Sequence, residues 1–144
     1  MFADFLKRLT DPAPVQMPDA DARLALTALL VRVARSDNDY STAERTRIQN
    51  IISARYALNA TARDALLADA ETLETEAPDT VRFTRAIKDA VAYDDRLAVV
   101  EALWKVALAD GERAEEEDAL LRLVVSLLGV TDVDSANARR RIEG

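Results

Sequence analysis

The 144-residue chain is long enough for one domain with a sizeable core, and its 49% hydrophobic and 31% charged content is globular rather than disordered. It has no Cys and no His, which removes disulfides, thiolate metal sites, a cysteine nucleophile and the commonest general base. A formal net charge of −7 argues against general nucleic-acid binding, which needs a basic face, and suits a positive partner or hard cations bound by oxygen.

At the N-terminus, Phe2, Phe5, Leu6 and Leu9 follow helical spacing and predict a short amphipathic helix, either a cap on the domain or a weak anchor. The order of residues there is not that of a signal peptide, and no run of about 18 apolar residues occurs in the chain, so a cytoplasmic protein without a transmembrane segment is expected. Pro12, Pro14 and Pro18 mark a linker. The expected division is therefore residues 1–18, an N-terminal helix and Pro-rich linker, and residues 19–144, a helical domain.

A first long helix is predicted from Asp19 to Ser36, with Leu24, Ala28, Val31 and Arg35 in one row and Leu26, Leu29, Leu30 and Val33 widening the apolar face. A second starts near Ser41, where Ser41-Thr42-Ala43-Glu44 reads as a capping box; Ile48, Ile51 and Ile52 form its buried stripe, and Arg47, Asn50 and Arg55 face water. A third covers Ala60 to Glu76 and stops before Pro78. A fourth begins near Asp79 with Phe83, Ile87, Ala90 and Val91 inward, and Thr84 interrupts that face. A fifth runs from Asp94 to Ala109, with Leu97, Val100, Trp104 and Leu108 on one side. The sixth, Ala114 to Leu128, has two apolar stripes: Leu121, Val124, Val125 and Leu128, and Leu120, Leu123 and Leu127. It should be buried on both sides, or buried on one and covered by a partner on the other. Gly129 stops it, and a last helix from Val133 to Ile142 ends in Arg139-Arg140-Arg141, a run read as solvated and matched to the helix dipole.

Residues 21–53 align with 94–126 without a gap. Asp21/Asp94, Arg23/Arg96, Leu24/Leu97, Leu30/Leu103, Val33/Val106, Asp37/Asp110, Glu44/Glu117 and Ser53/Ser126 are among the identities. This reads as a duplicated helix–turn–helix hairpin. The expected fold is all-α: a compact bundle of about seven helices with two pseudo-symmetric hairpins, plus the short N-terminal helix. Arg47, Asn50 and Ala54 fall where Leu120, Leu123 and Leu127 fall, so the first hairpin is expected at the periphery and the second at the centre.

The two turns carry the most chemistry. Asn38 falls where Gly111 falls, and both residues suit a left-handed backbone. Asp37 and Asp110 then sit at helix C-terminal ends, where the dipole disfavours an anion by about 0.3–1 kcal/mol. Asp39 or Glu112 follows two residues later, and Glu44 or Glu117 lies in the first turn of the next helix. Such His-free oxygen clusters suit calcium or magnesium rather than zinc. Each residue also has an ordinary role available, as turn former, cap or dipole partner. The pattern is not an EF-hand, because the twelfth loop position is Ile48 or Leu121.

The second hairpin, with Ala109-Asp110-Gly111-Glu112, the glutamates after it and the helix ending in Leu128-Gly129-Val130, resembles the TerB-like (tellurite resistance protein B) family. The first hairpin and the final helix extend the resemblance over about residues 20–142. It implies an all-α fold of about seven helices, a pseudo-symmetric acidic site with divalent-metal binding, and a link to tellurite or chemical-stress resistance with a protein partner, in membrane-associated assemblies. Carried onto this chain, that site is Asp37, Asp39, Glu44, Asp110, Glu112 and Glu117. Asn38 departs from the Gly form of the motif and Ser36 from the small Ala109. No reaction is expected. All-α pyrophosphatases use well-separated helical carboxylate pairs, whereas here Glu71/Glu74 and Glu76/Asp79 adjoin one another and run into Pro78, and Glu115/Asp118 has no matching Glu-x-x-Glu shortly before it. The competing expectation is a metal-independent adaptor that uses Leu120, Leu123 and Leu127, or the N-terminal helix, as its contact surface.

Overall fold

Seven helices and no strand occur in the residues that the computed structural model describes, 19–36, 40–77, 79–107 and 115–143. They are α1 (Asp19–Ala34), α2 (Thr42–Tyr56), α3 (Ala60–Glu76), α4 (Thr80–Ala90), α5 (Tyr93–Ala107), α6 (Glu115–Leu127) and α7 (Asp132–Glu143). The expected helix over residues 2–9 lies outside the described residues.

Local chemistry sets the ends. Ser41 Oγ accepts from the Glu44 N–H at 3.0 Å, and the Ser41 N–H donates to Glu44 Oε1 at 3.1 Å, completing the capping box that starts α2. Asn59 Oδ1 accepts from Ala62 N at 2.8 Å and starts α3. α2 ends on Ala57, whose backbone is left-handed (φ 53°), and α6 ends on Gly129 (φ 72°). After α6 the Val130 N–H returns to Val125 O at 3.2 Å, satisfying a carbonyl of the last turn.

The bundle is built around α1. Ala25, Ala28, Leu29, Val31, Val33 and Ala34 are fully buried, and α1 packs against α2, α3, α4, α5 and α6. This corrects the expectation of a peripheral first hairpin. The polar face of α2 does point outward, but its hairpin partner α1 is buried along most of its length from Ala25 to Ala34, with Arg32 half-buried. α5 lies beside it, with Val100, Leu103 and Val106 buried, and packs against α1, α2, α6 and α7. α3 covers α1 with Leu67, Ala70 and Leu73, and α4 contributes Phe83 and Ile87.

Two further expectations change. Thr84 does not interrupt the α4 face: it is fully buried, and its hydroxyl donates back to Thr80 O at 2.6 Å, so the polar atom is satisfied within its own helix. Nor is the arginine run at the end of α7 wholly solvated. Arg139 lies over the Trp104 ring, 5.0 Å from its centroid, and Arg141 reaches Glu101 at 3.5 Å. On α6, the stripe Leu121, Val124, Val125 and Leu128 is buried, Leu120 and Leu127 are half-buried, and Leu123 is 44% exposed.

Candidate functional site

Of the six carboxylates expected to hold a cation, Glu44 is the one whose side chain lies in the described residues. Asp37, Asp39, Asp110 and Glu112 lie outside them; Glu117 is placed in the first turn of α6, its side chain outside them. Glu44 is 1% exposed. A carboxylate that buried needs polar partners, and the capping bond to Ser41 N supplies one. The same geometry fixes where the carboxylate points, at the entrance of α2 beside the turn. A carboxylate has about four acceptor directions, so the capping bond is compatible with cation coordination, and oxygen is the donor that calcium and magnesium take. Among the described residues, no three acidic side chains are gathered into a metal-sized group.

The flanks of the first turn form a network between α1, α2 and α3. Arg35, just before the turn, donates to Glu71 O at 3.4 Å and to Thr75 Oγ1 at 3.3 Å, and lies 3.8 Å from Glu74 Oε2. Its guanidinium also sits 5.2 Å from the centroid of the Tyr40 ring, on the other side of the turn. Arg45 forks onto Glu71, with Nε to Oε2 at 3.3 Å and Nη2 to Oε1 at 3.4 Å. That hydrogen bonding to Glu71 holds Arg45 above its ordinary pKa. Burial pushes the Tyr40 phenol above the ordinary 10.0, and the neighbouring Glu71 carboxylate pushes it the same way. An open cleft of about 460 Å³ lies along this network, lined by Arg35, Ala68, Glu71, Thr72, Thr75 and Glu76.

The family comparison matches residues 23–140 to the tellurite resistance protein TerB family. The chain belongs to the TerB family. No curated protein and no solved structure gives a match. The helices are those of a TerB-type all-α module, and no helix among the described residues is long and apolar enough to cross a membrane.

Sequence reasoning missed the part that Arg35, Tyr40, Arg45, Glu71 and Glu74 play around the first TerB turn. Arg35 followed a row on α1 and gave no sign of spanning to α3. Arg45 and Glu71 stand 26 positions apart, beyond any helical spacing. Their opposite charges on neighbouring helices were the available signal, and it needs the helix order in space to be used.

Proposed function

We propose that this TerB-family chain is a non-enzymatic, cytoplasmic helical module that binds a hard divalent cation at its acidic turns and contributes to tellurite or chemical-stress resistance through a protein partner, in a membrane-associated assembly. The carrying observation is Glu44, a fully enclosed carboxylate aimed by a capping box at the edge of the first turn. Asp37 and Asp39 would complete that oxygen set, and Asp110, Glu112 and Glu117 would form its counterpart in the second hairpin. Calcium or magnesium suits these donors better than zinc, which takes His and Cys that the chain lacks. A structural role is also supported for the carboxylates once weighed for hydrolysis, because Arg45 and Arg35 engage Glu71 and Glu74.

Thermal melts with calcium, magnesium, manganese and zinc test this reading. At a concentration ten times the dissociation constant, the bound cation should raise Tm by about 4 °C. Asp110→Asn/Glu112→Gln and Glu44→Gln should each reduce that rise. Glu44→Gln keeps an acceptor for the Ser41 N–H, so its own stability should change little. Identical melting of wild type and variants at millimolar metal would count against cation binding. A metal-independent adaptor role is favoured by one observation, the 44% exposure of Leu123 on α6; it predicts a partner that stays bound in chelator and is released by Leu123→Asp.

A further inference from the structure

A second cavity, about 470 Å³, lies between α2 and α5. Its lining includes three small residues, Ala54 on α2 and Ala98 and Ala102 on α5, beside the half-buried Ile51. Its walls carry Arg47, Arg55 and Lys105 against a single carboxylate, Glu101. Glu101 is matched by Arg141 at 3.5 Å, and Arg55 by Asp95 at 3.6 Å. Arg47 and Lys105 make no ion pair with any described residue. In a chain of net charge −7, this trough is locally cationic.

The size and shape of what fits can be read from the other half of the bundle. Shifting each position by the 73 residues of the sequence alignment maps Arg47 and Ala54 onto Leu120 and Leu127, and Ala98, Ala102 and Lys105 onto Ala25, Leu29 and Arg32. The α2/α5 trough thus corresponds to the line between α6 and α1. α4 packs against both α6 and α1, and its Phe83 and Ile87 are fully buried, as are Ala25 and Leu29 of α1. Arg32, the counterpart of Lys105, lies 5.4 Å from the centroid of the Phe83 ring. Where α6 carries Leu120 and Leu127, α2 carries Arg47 and Ala54, so the α2/α5 line presents alanines and cations in place of leucines.

We propose that the α2/α5 trough is a docking site for an acidic amphipathic helix of a partner protein. The three alanines let a helix backbone approach closely, with one or two apolar side chains laid on Ala98, Ala102 and Ile51. Carboxylates on either side of that stripe pair with Arg47 and Lys105, and the cationic rim selects against a basic helix. This site shares no residue with the cation reading of the acidic turns and stands or falls separately.

The test uses the full chain and two labelled helical peptides of one sequence, each with Phe and Ile four residues apart, one flanked by Glu and the other by Lys. In fluorescence anisotropy, the Glu peptide should bind saturably and the Lys peptide at least about tenfold more weakly. Arg47→Glu/Lys105→Glu should weaken the Glu peptide at least about tenfold and restore the Lys peptide. Arg47→Gln/Lys105→Gln and the groove-filling Ala54→Trp should weaken the Glu peptide without the charge reversal, and circular dichroism checks the fold of each. Equal binding of both peptides, no binding by either at millimolar concentration, or no effect of the trough variants overturns the proposal. So does Glu-peptide binding only after Phe2, Phe5, Leu6 and Leu9 are changed to Ser, which would make residues 2–9 the occupant. Self-association abolished by Arg47→Glu/Lys105→Glu would make a second copy the occupant and overturn it equally.

Discussion

Tyr40 shows how a single side chain can tie a turn to the bundle. Its ring takes the Arg35 guanidinium, and its hydroxyl is enclosed near Glu71. Because its folded pKa lies above the ordinary 10.0, the associated stability is fully present below pH 10.0 and is lost as pH rises beyond it, where the unfolded chain ionises first. Urea melts at about pH 9 and about pH 11 should therefore show a loss of stability, and Tyr40→Phe should show a smaller one. The two helix-ending residues behave oppositely. Ala57 adopts a left-handed backbone without being glycine, so Ala57→Gly should raise stability by about 0.5–1 kcal/mol. Gly129 has a positive φ, and a Cβ there would meet Lys88 Cε at 2.9 Å and Arg96 Nη1 at 3.0 Å, so Gly129→Ala should lower stability by about 1 kcal/mol or more. At this scale the sequence is readable where partners are neighbours. The Ser41–Glu44 box and the Gly129 stop needed only a few consecutive residues, whereas the Arg45–Glu71 fork needed α2 and α3 side by side.

Between elements, polar contacts at the ends and edges set orientation. Arg96 on α5 donates through Nε to Val91 O at 3.1 Å and through Nη1 to Leu128 O, so one guanidinium holds the carbonyls just past α4 and α6. Besides the Arg139 and Arg141 contacts, two hydrogen bonds lock α7 to α5: the Tyr93 hydroxyl meets Asp134 Oδ2 at 2.5 Å, and Trp104 Nε1 donates to Ser135 Oγ at 3.1 Å inside the core. Ser135→Ala removes that acceptor from a buried indole and should destabilise by about 1–3 kcal/mol. Trp104 is the sole tryptophan, so its emission maximum should move in the same variant, and an unchanged spectrum with unchanged stability would show the bond to be idle. Helix existence and order were legible from apolar spacing and caps, and α3 has the predicted bounds. The polar locks were not, since Ser135 lies 31 positions from Trp104 and Leu128 lies 32 from Arg96. Thr84 misled for a related reason: a hydroxyl on an apolar stripe looks like a break until its own helix carbonyl satisfies it.

For the whole molecule, the enclosure of α1 decides where mutations matter. Leu29 is fully buried among other helices, so Leu29→Ala should cost about 2–5 kcal/mol. Leu123 is 44% exposed, and Leu123→Ala should stay within about 0.5 kcal/mol. Chemical denaturation separates the two, and a Leu123 effect as large as that of Leu29 would mean the α6 stripe is covered. The all-α class and the TerB family were legible because the pattern of apolar and acidic residues is local to each hairpin. The centrality of α1 was misjudged because comparing α2 with α6 says nothing about what surrounds their hairpin partners. The proposed acidic site is legible as a pattern of residues, and among its six carboxylates only the Glu44 side chain lies in the described residues. The position of α1 also bears on synthesis. It is the first of the seven helices to leave the ribosome, yet α6, which covers part of it, ends at Leu127. At ordinary translation speeds, the α1 surface waits roughly 5–20 s for that cover. A nascent chain stalled before α6 leaves that part of the α1 surface open to whatever chaperone or protease arrives first.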